Sequence, residues 1–138
     1  MAWLPHPVLP PAGVLASRRQ AQPALLRMLG RARRHHGGLL LARLGVAAAP
    51  PAAAAAEAAQ QRFLAAAAGE LRLTDLAWAE PGAGLMLLLE AAAEESEVRQ
   101  RLEQRAAACQ LRLRWQAARF PEQGLTLEAL LDTVQWPR

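Results

Sequence analysis

The chain uses a restricted set of residue types. Its 138 residues include no Lys, Asn, Ile or Tyr, only one Cys and two Asp, and all sixteen basic residues are Arg. The single Cys109 excludes an internal disulfide and is typical of a reducing compartment, so we expect a cytoplasmic protein. The three His have no recognisable ligand spacing, so the sequence indicates no metal site.

Long apolar runs are absent as well. The longest are interrupted by Arg43, by Pro50 and Pro51, and by Glu90. They fall well short of the roughly 20 apolar residues that a membrane-spanning helix needs. The N-terminus is rich in proline and has no early basic residue, unlike a secretory signal peptide. We therefore expect no membrane span.

Small apolar residues are abundant. A hydrophobic content of 53%, much of it alanine, can fill one core, and 138 residues fit one domain. Residues 1–11 hold four prolines and predict an extended arm, which leaves residues 12–138 as the domain. The net charge of +4 favours an anionic partner without choosing among nucleotides, nucleic acid and acidic lipid.

Helical and strand patterns alternate along the domain. An apolar stripe predicts a helix that begins near residue 17, alanine-rich composition predicts one near residue 52, and acidic residues followed by arginines predict one near residue 94. Thr126 is the predicted N-cap of a fourth helix. Apolar runs predict strands over residues 38–41, 73–79, 85–89 and 111–115. The segment 85–89 has no polar alternation, so both of its faces should be buried. This order with its long crossovers predicts an α/β (α+β) fold with a mixed sheet covered by helices.

The most informative segment is residues 70–90, where two apolar strands flank a Pro-Gly-x-Gly turn. Arg72 and Asp75 precede the first strand, and five residues separate Asp75 from the turn. An Arg-x-x-Asp pair at this distance from such a hairpin resembles the signature region of GGDEF (diguanylate cyclase) domains. The family's turn has the sequence Gly-Gly-Asp/Glu-Glu-Phe, and its five letters fall here on Pro81, Gly82, Ala83, Gly84 and Leu85. One glycine and one apolar residue remain, while both acidic positions are lost.

The resemblance extends over about residues 12–134. Residues 16–41 are similar to the family's opening Asn-Arg-Arg helix and first strand, and residues 115–131 resemble its Pro-x-x-Gly turn and the helix that follows. Where the family has metal-binding aspartates, residues 41–45 contain no carboxylate. The chain also ends before the family's final strand, so we expect a C-terminally shortened domain with an unprotected sheet edge.

The resemblance implies binding rather than catalysis. Because the metal carboxylates and the acidic signature letters are missing, we predict a degenerate domain that is not an enzyme and has no cofactor. In the family the Arg-x-x-Asp pair binds the product cyclic di-GMP, which makes Arg72 and Asp75 its predicted ligands here. An Arg fork donates to guanine O6 and N7 or to a phosphate, and Asp accepts from guanine N1 and N2. Arg101 and Arg105 on the next helix are candidates for a second clamp.

Each of these residues also has a structural interpretation. Arg72 and Asp75 fit a surface pair that caps the preceding helix, and Arg101 and Arg105 fit a solvated helix face. The resemblance implies a cyclic di-GMP receptor that controls exopolysaccharide synthesis, secretion or motility and takes part in biofilm regulation. The alternative is a ligand-free adaptor or dimerisation module that binds a protein partner or a second copy. Nucleic-acid binding is least favoured because no reading motif accompanies the charge.

Overall fold

Helices and strands alternate along the chain in the predicted order from the first helix onward. The computed structural model describes residues 2–3, 13–48, 53–71, 75–80, 84–90 and 95–136. The helices are α1 Arg18–His35, α2 Ala53–Gly69, α3 Glu95–Ala108 and α4 Leu127–Thr133. The strands are β1 Ala2–Trp3, β2 Leu39–Ala48, β3 Leu76–Glu80, β4 Gly84–Glu90 and β5 Arg112–Phe120. Within these described ranges, no helix is both long and apolar enough to cross a membrane.

Strand β2 lies at the centre of the sheet. It pairs with β5 on one side and with β4 on the other, and β3 pairs with the far side of β4. The two residues of β1, which belong to the predicted arm, pair with the end of β2, where Ala2 lies opposite Ala48. Residues 1 and 4–11 of that arm lie outside the described residues.

Every ladder between the described strands is antiparallel, which corrects the predicted mixed sheet. The long crossover from β2 to β3 had indicated parallel neighbours. Instead, the β3–β4 hairpin inserts β4 between them, so β2 and β3 run in the same direction without being adjacent. A parallel contact is present as the isolated bridge between Leu15 and Trp78.

The two faces of the sheet are covered by different helices. Leu40, Ala42 and Leu44 of β2 belong to a core that includes residues of α2 and α3. Leu39 and Leu41 point the other way, into a core that includes residues of α1 and α4. Residues 85–89 of β4 are all buried, as their unbroken apolar pattern predicted. The β3–β4 hairpin is therefore part of a sheet that is covered by helices on both faces.

Side-chain caps fix where two helices begin. The hydroxyl of Ser17 accepts a hydrogen bond from the Gln20 amide at 3.3 Å, which starts α1 and places Arg18 in its first turn. Thr126 accepts from the Ala129 amide at 3.2 Å, which confirms it as the predicted N-cap of α4. The cap at Ser17 bears on the site because Arg18 reaches back to the hairpin.

Candidate ligand site at the open end of the hairpin

The β3–β4 hairpin has two ends that differ in character. At the signature-turn end, Glu80 leaves β3 opposite Gly84, the first residue of β4. At the other end, here called the open end, Asp75 precedes β3 and Glu90 closes β4. Of the predicted site residues, Arg72 and the turn residues 81–83 lie outside the described residues, so the structure locates Asp75, Gly84, Leu85, Arg101 and Arg105.

Gly84 makes the signature-turn end tight. Its φ is +88°, in the region that favours glycine, and a Cβ built on it would collide with the backbone carbonyl of Leu44. The backbone conformation and the Leu44 carbonyl therefore exclude a side chain at this position, where the family has its second acidic letter. The neighbouring Leu85 is buried in the core. Beside them lies a cavity of about 10 Å³, which is room for one water at most.

Glu80 is a buried carboxylate at the same end, and its hydrogen bonds are satisfied. It accepts from Arg18 Nε at 2.8 Å and Nη2 at 3.0 Å, and from Trp78 Nε1 at 3.1 Å. Only 7% of Glu80 is exposed. A bidentate arginine and an indole donor compensate the carboxylate for its lost water. The Arg18–Glu80 ion pair therefore links α1 to the hairpin, a role that the sequence analysis did not assign to Glu80.

Arg43, in the middle of β2, is the less well compensated charge. It is 7% exposed, and its Nε is buried without a hydrogen-bond partner among the described residues. Burial lowers the pKa of Arg43, while Glu80 raises it and Arg18 lowers it further. Its guanidinium lies 5.8 Å from the centre of the Trp136 ring, which Arg114 approaches at 4.2 Å.

Residues 41–45 do not fit a divalent cation. They offer no carboxylate, and Arg43 adds a positive charge where a cation would need oxygen ligands. In the part of the chain that the structure describes, no group of three His, Cys, Asp or Glu side chains lies close enough to hold a metal ion.

The open end contains a cavity of about 40 Å³ with a charged rim. Its apolar lining comes from α2, β4 and α3, and its rim is formed by Glu70, Asp75, Glu90 and Arg101. Asp75 is held in place because its Oδ1 accepts from the Glu90 amide at 3.2 Å. The structure therefore brings two predicted ligand residues, Asp75 and Arg101, to one cavity.

Arg105, the fourth predicted ligand residue, is bonded to a rim residue, Glu70, which the sequence analysis did not single out. Glu70 Oε1 accepts from Arg105 Nη2 at 2.8 Å and from its Nε at 3.2 Å. Glu70 Oε2 faces Arg101 Nη1 at 3.9 Å. Both arginines keep more than half of their side chains exposed. Glu70 lies in the turn after α2, two positions before Arg72 in the sequence, and its pairing with α3 follows only from the fold.

Comparisons with known proteins identify the fold. No family model and no curated protein matches the chain. A DGC protein from Thermotoga maritima is similar in structure, with a TM-score of 0.73 and 11% identity over 89% of this chain and 98% of that one. The coiled coil and GGDEF domain of DgcB from Caulobacter crescentus, in complex with c-di-GMP, gives 0.65 and 12% over 87% and 72%.

A third structure has a bound protein partner. The diguanylate cyclase SiaD from Pseudomonas aeruginosa, in complex with its activator SiaC, gives a TM-score of 0.69 and 16% identity over 92% of this chain and 55% of that one. At these identities the likeness concerns the fold. The chain has the α+β fold of GGDEF domains, as the hairpin and its flanking blocks predicted.

The same structures correct another prediction. The missing acidic letters led to the prediction that the chain is not an enzyme. That prediction is wrong as an inference about the fold, because the solved structures that share it include diguanylate cyclases, which are enzymes. Missing signature letters do not remove a chain from an enzyme fold.

Proposed function

We propose that the chain binds cyclic di-GMP at the open end of the hairpin and acts as a regulatory module. One observation carries this proposal: Asp75 and Arg101, from different elements, stand on the rim of the same cavity. Arg105 lies next to them on α3. Arg72, three residues before Asp75, is assigned to the same site from its place in the sequence.

The chemistry of these groups suits a cyclic dinucleotide. The Asp75 carboxylate accepts from guanine N1 and N2, and the guanidinium groups donate to guanine O6 and N7 or to the phosphates. The cavity of about 40 Å³ is far smaller than such a ligand. The ligand therefore covers the rim and the exposed faces of Arg101 and Arg105, and does not enter an enclosed pocket.

A complex of a structurally similar protein supports this choice of ligand. DgcB, which shares the fold, has been solved in complex with c-di-GMP. For the present chain we propose that the ligand-bound form controls a partner in exopolysaccharide synthesis or secretion, which makes the domain part of biofilm regulation.

Isothermal titration of cyclic di-GMP into the full chain tests the proposal. Wild type should bind, and Arg72→Ala and Asp75→Ala should each abolish the heat. Arg99→Ala is the matched control, because Arg99 lies on α3 and pairs with Glu103 away from the cavity, at 2.9 Å. The absence of heat from wild type at high micromolar ligand contradicts the proposal, and so does loss of binding in the control alone.

A second candidate function, a protein-binding module, is favoured by the outer edge of β5. The backbone amide and carbonyl of Arg119 point away from β2. The amide donates to Gln123 Oε1 at 2.9 Å, and the carbonyl accepts from the Gln123 amide at 2.8 Å. Alternate residues of an antiparallel strand point their backbone groups the same way. The backbone amides and carbonyls of Leu113, Trp115 and Ala117 therefore also point away from β2. An extended partner strand can pair with such an edge.

Ala117→Pro tests this candidate. Proline removes an outward amide without taking a hydrogen bond from the β2 ladder, so the fold should persist. If β5 is the interface, dimers or bound partner seen by size exclusion with light scattering should disappear in this variant. A wild-type monomer that retains no partner, or an assembly that Ala117→Pro leaves intact, excludes the edge as the interface.

A further inference from the structure

We infer that Glu70 competes with the anionic groups of the ligand for the arginine donors at the open end, an inference that rests on the proposed function. The Glu70 carboxylate occupies the donors of Arg105 at 2.8 and 3.2 Å and faces Arg101 at 3.9 Å. A phosphate needs the same donors. In the free domain, Arg101 and Arg105 are therefore paired with a carboxylate of the protein itself.

The balance of charge around the cavity supports this competition. Among the described residues that line the cavity, three are carboxylates, Glu70, Asp75 and Glu90, and one is an arginine, Arg101. Glu90 is paired with Arg31 at 3.3 Å, and Asp75 is bonded to the Glu90 amide. Glu70 is thus the rim carboxylate that neutralises Arg101 and Arg105. A ligand phosphate gains the Nε and Nη2 donors of Arg105 only when Glu70 moves away, and near Arg101 it meets the negative charge of Glu70.

The position of Glu70 allows it to move. It lies in the turn after α2, where the amides of Glu70 and Leu71 donate to the carbonyls of Ala67 and Ala68 at 3.1 and 3.2 Å. These backbone bonds hold the turn whatever rotamer the side chain adopts. The two arginines are more than half exposed, and ion pairs at such sites are weak and exchangeable.

A purely structural role for Glu70 predicts something different. If Glu70 served to tie α3 to α2, its loss would loosen the helices and weaken every function of the domain. The helices already pack through a shared core that includes Phe63, Leu64, Leu102 and Ala106. Removal of the Glu70 charge should therefore leave the melting temperature unchanged.

The test compares cyclic di-GMP titrations of wild type, Glu70→Gln and Glu103→Gln. The control removes the same charge from an exposed arginine pair of α3, the Arg99–Glu103 pair. We expect Glu70→Gln to lower the Kd about three- to tenfold. Glu103→Gln should leave the Kd as it is. The double variant Glu70→Gln with Arg105→Ala should lose the gain, because the competition acts through Arg105.

The outcomes separate this inference from the proposed function. If wild type binds and Glu70→Gln binds equally or more weakly, Glu70 is not a competitor and the binding site stands. If Glu103→Gln gains as much as Glu70→Gln, the effect is one of net charge and the inference fails. If neither wild type nor Glu70→Gln binds, the proposed function fails together with the inference.

Discussion

The two ends of the β3–β4 hairpin differ in how tightly they are packed and in how far their charged side chains are exposed. At the signature-turn end, a glycine presses against a neighbouring carbonyl, the charges are buried, and the space left is about 10 Å³. At the open end, a cavity of about 40 Å³ is ringed by four charged side chains, and the arginines of α3 remain exposed. Buried, satisfied groups stabilise a fold, whereas exposed and exchangeable groups can bind.

The difference also concerns how each charge is compensated. Glu80 has three donors fixed within the protein, two from Arg18 and one from Trp78. Glu70 has partners as well, but both keep more than half of their side chains in solvent. The Glu80 side chain is 9% exposed and the Glu70 side chain 26% exposed, so solvent competes more strongly for the contacts of Glu70. Substitutions at the turn end should therefore change stability, and substitutions at the open end should change binding.

The largest effect is expected at Gly84. Gly84→Ala forces a side chain into a backbone with φ of +88° and against the Leu44 carbonyl. We expect the free energy of unfolding to fall by about 3 kcal/mol or more, measured by chemical denaturation. Gly84→Glu, which restores the family's letter, should be at least as damaging. Gly69→Ala is the control, because nothing lies within 4 Å of its Cβ position. A stable Gly84→Glu variant would show that the turn end is open to a side chain.

Glu80→Gln should have the second largest effect. It removes the charge that holds Arg18 while keeping an oxygen for the Trp78 indole. We expect a loss of about 2 kcal/mol in unfolding free energy. Glu103→Gln, in an exposed pair, should cost less than about 0.5 kcal/mol. Equal losses in the two variants would mean that burial does not distinguish the pairs.

Arg43→Met should have a smaller effect of opposite sign. Methionine fills a similar volume without a buried Nε that lacks a hydrogen-bond partner, and burial already lowers the pKa of this guanidinium. We expect stability to rise by up to about 1 kcal/mol. Thermal melting of the variant checks the sign. A lower melting temperature would show that the Trp136 contact and Glu80 more than offset the cost of burial.

Asp75→Asn should barely affect stability while it weakens binding. The amide oxygen can still accept from the Glu90 amide, so we expect the unfolding free energy to change by less than about 0.5 kcal/mol. Loss of the negative charge should raise the Kd for cyclic di-GMP about tenfold. Titration and denaturation of the same preparation give both values. A large loss of stability with unchanged binding would reverse the roles assigned to the two ends.

The order of the elements could be predicted from the sequence because it depends on local signals. Apolar periodicity located the helices, Thr126 marked a cap, and the Pro-Gly turn marked the hairpin. The antiparallel sheet could not be predicted, since it depends on β4 pairing with β2 across more than forty residues of chain. Strand β2 also continues to Ala48, beyond the predicted end at residue 41.

The candidate site could be predicted only where local sequence signals identify its residues. Asp75, Arg101 and Arg105 were found through the resemblance, and the fold brings them near one cavity. Glu70 was missed because its meaning depends on α3, which is distant in sequence. Two charged residues in apolar strands did carry a signal in the sequence: Glu80 at the end of β3 and Arg43 inside β2. A charge in a buried strand needs a hydrogen-bonding or ionic partner.

Amide hydrogen exchange with and without cyclic di-GMP tests most directly whether the open end is the ligand end. We predict slower exchange in the ligand-bound protein around Glu70, Asp75, Glu90 and the part of α3 that carries Arg101. Exchange around Gly84, Leu85 and Val46 should not change. Protection centred on those three residues, with none near Asp75, would contradict the account and place the ligand at the signature-turn end.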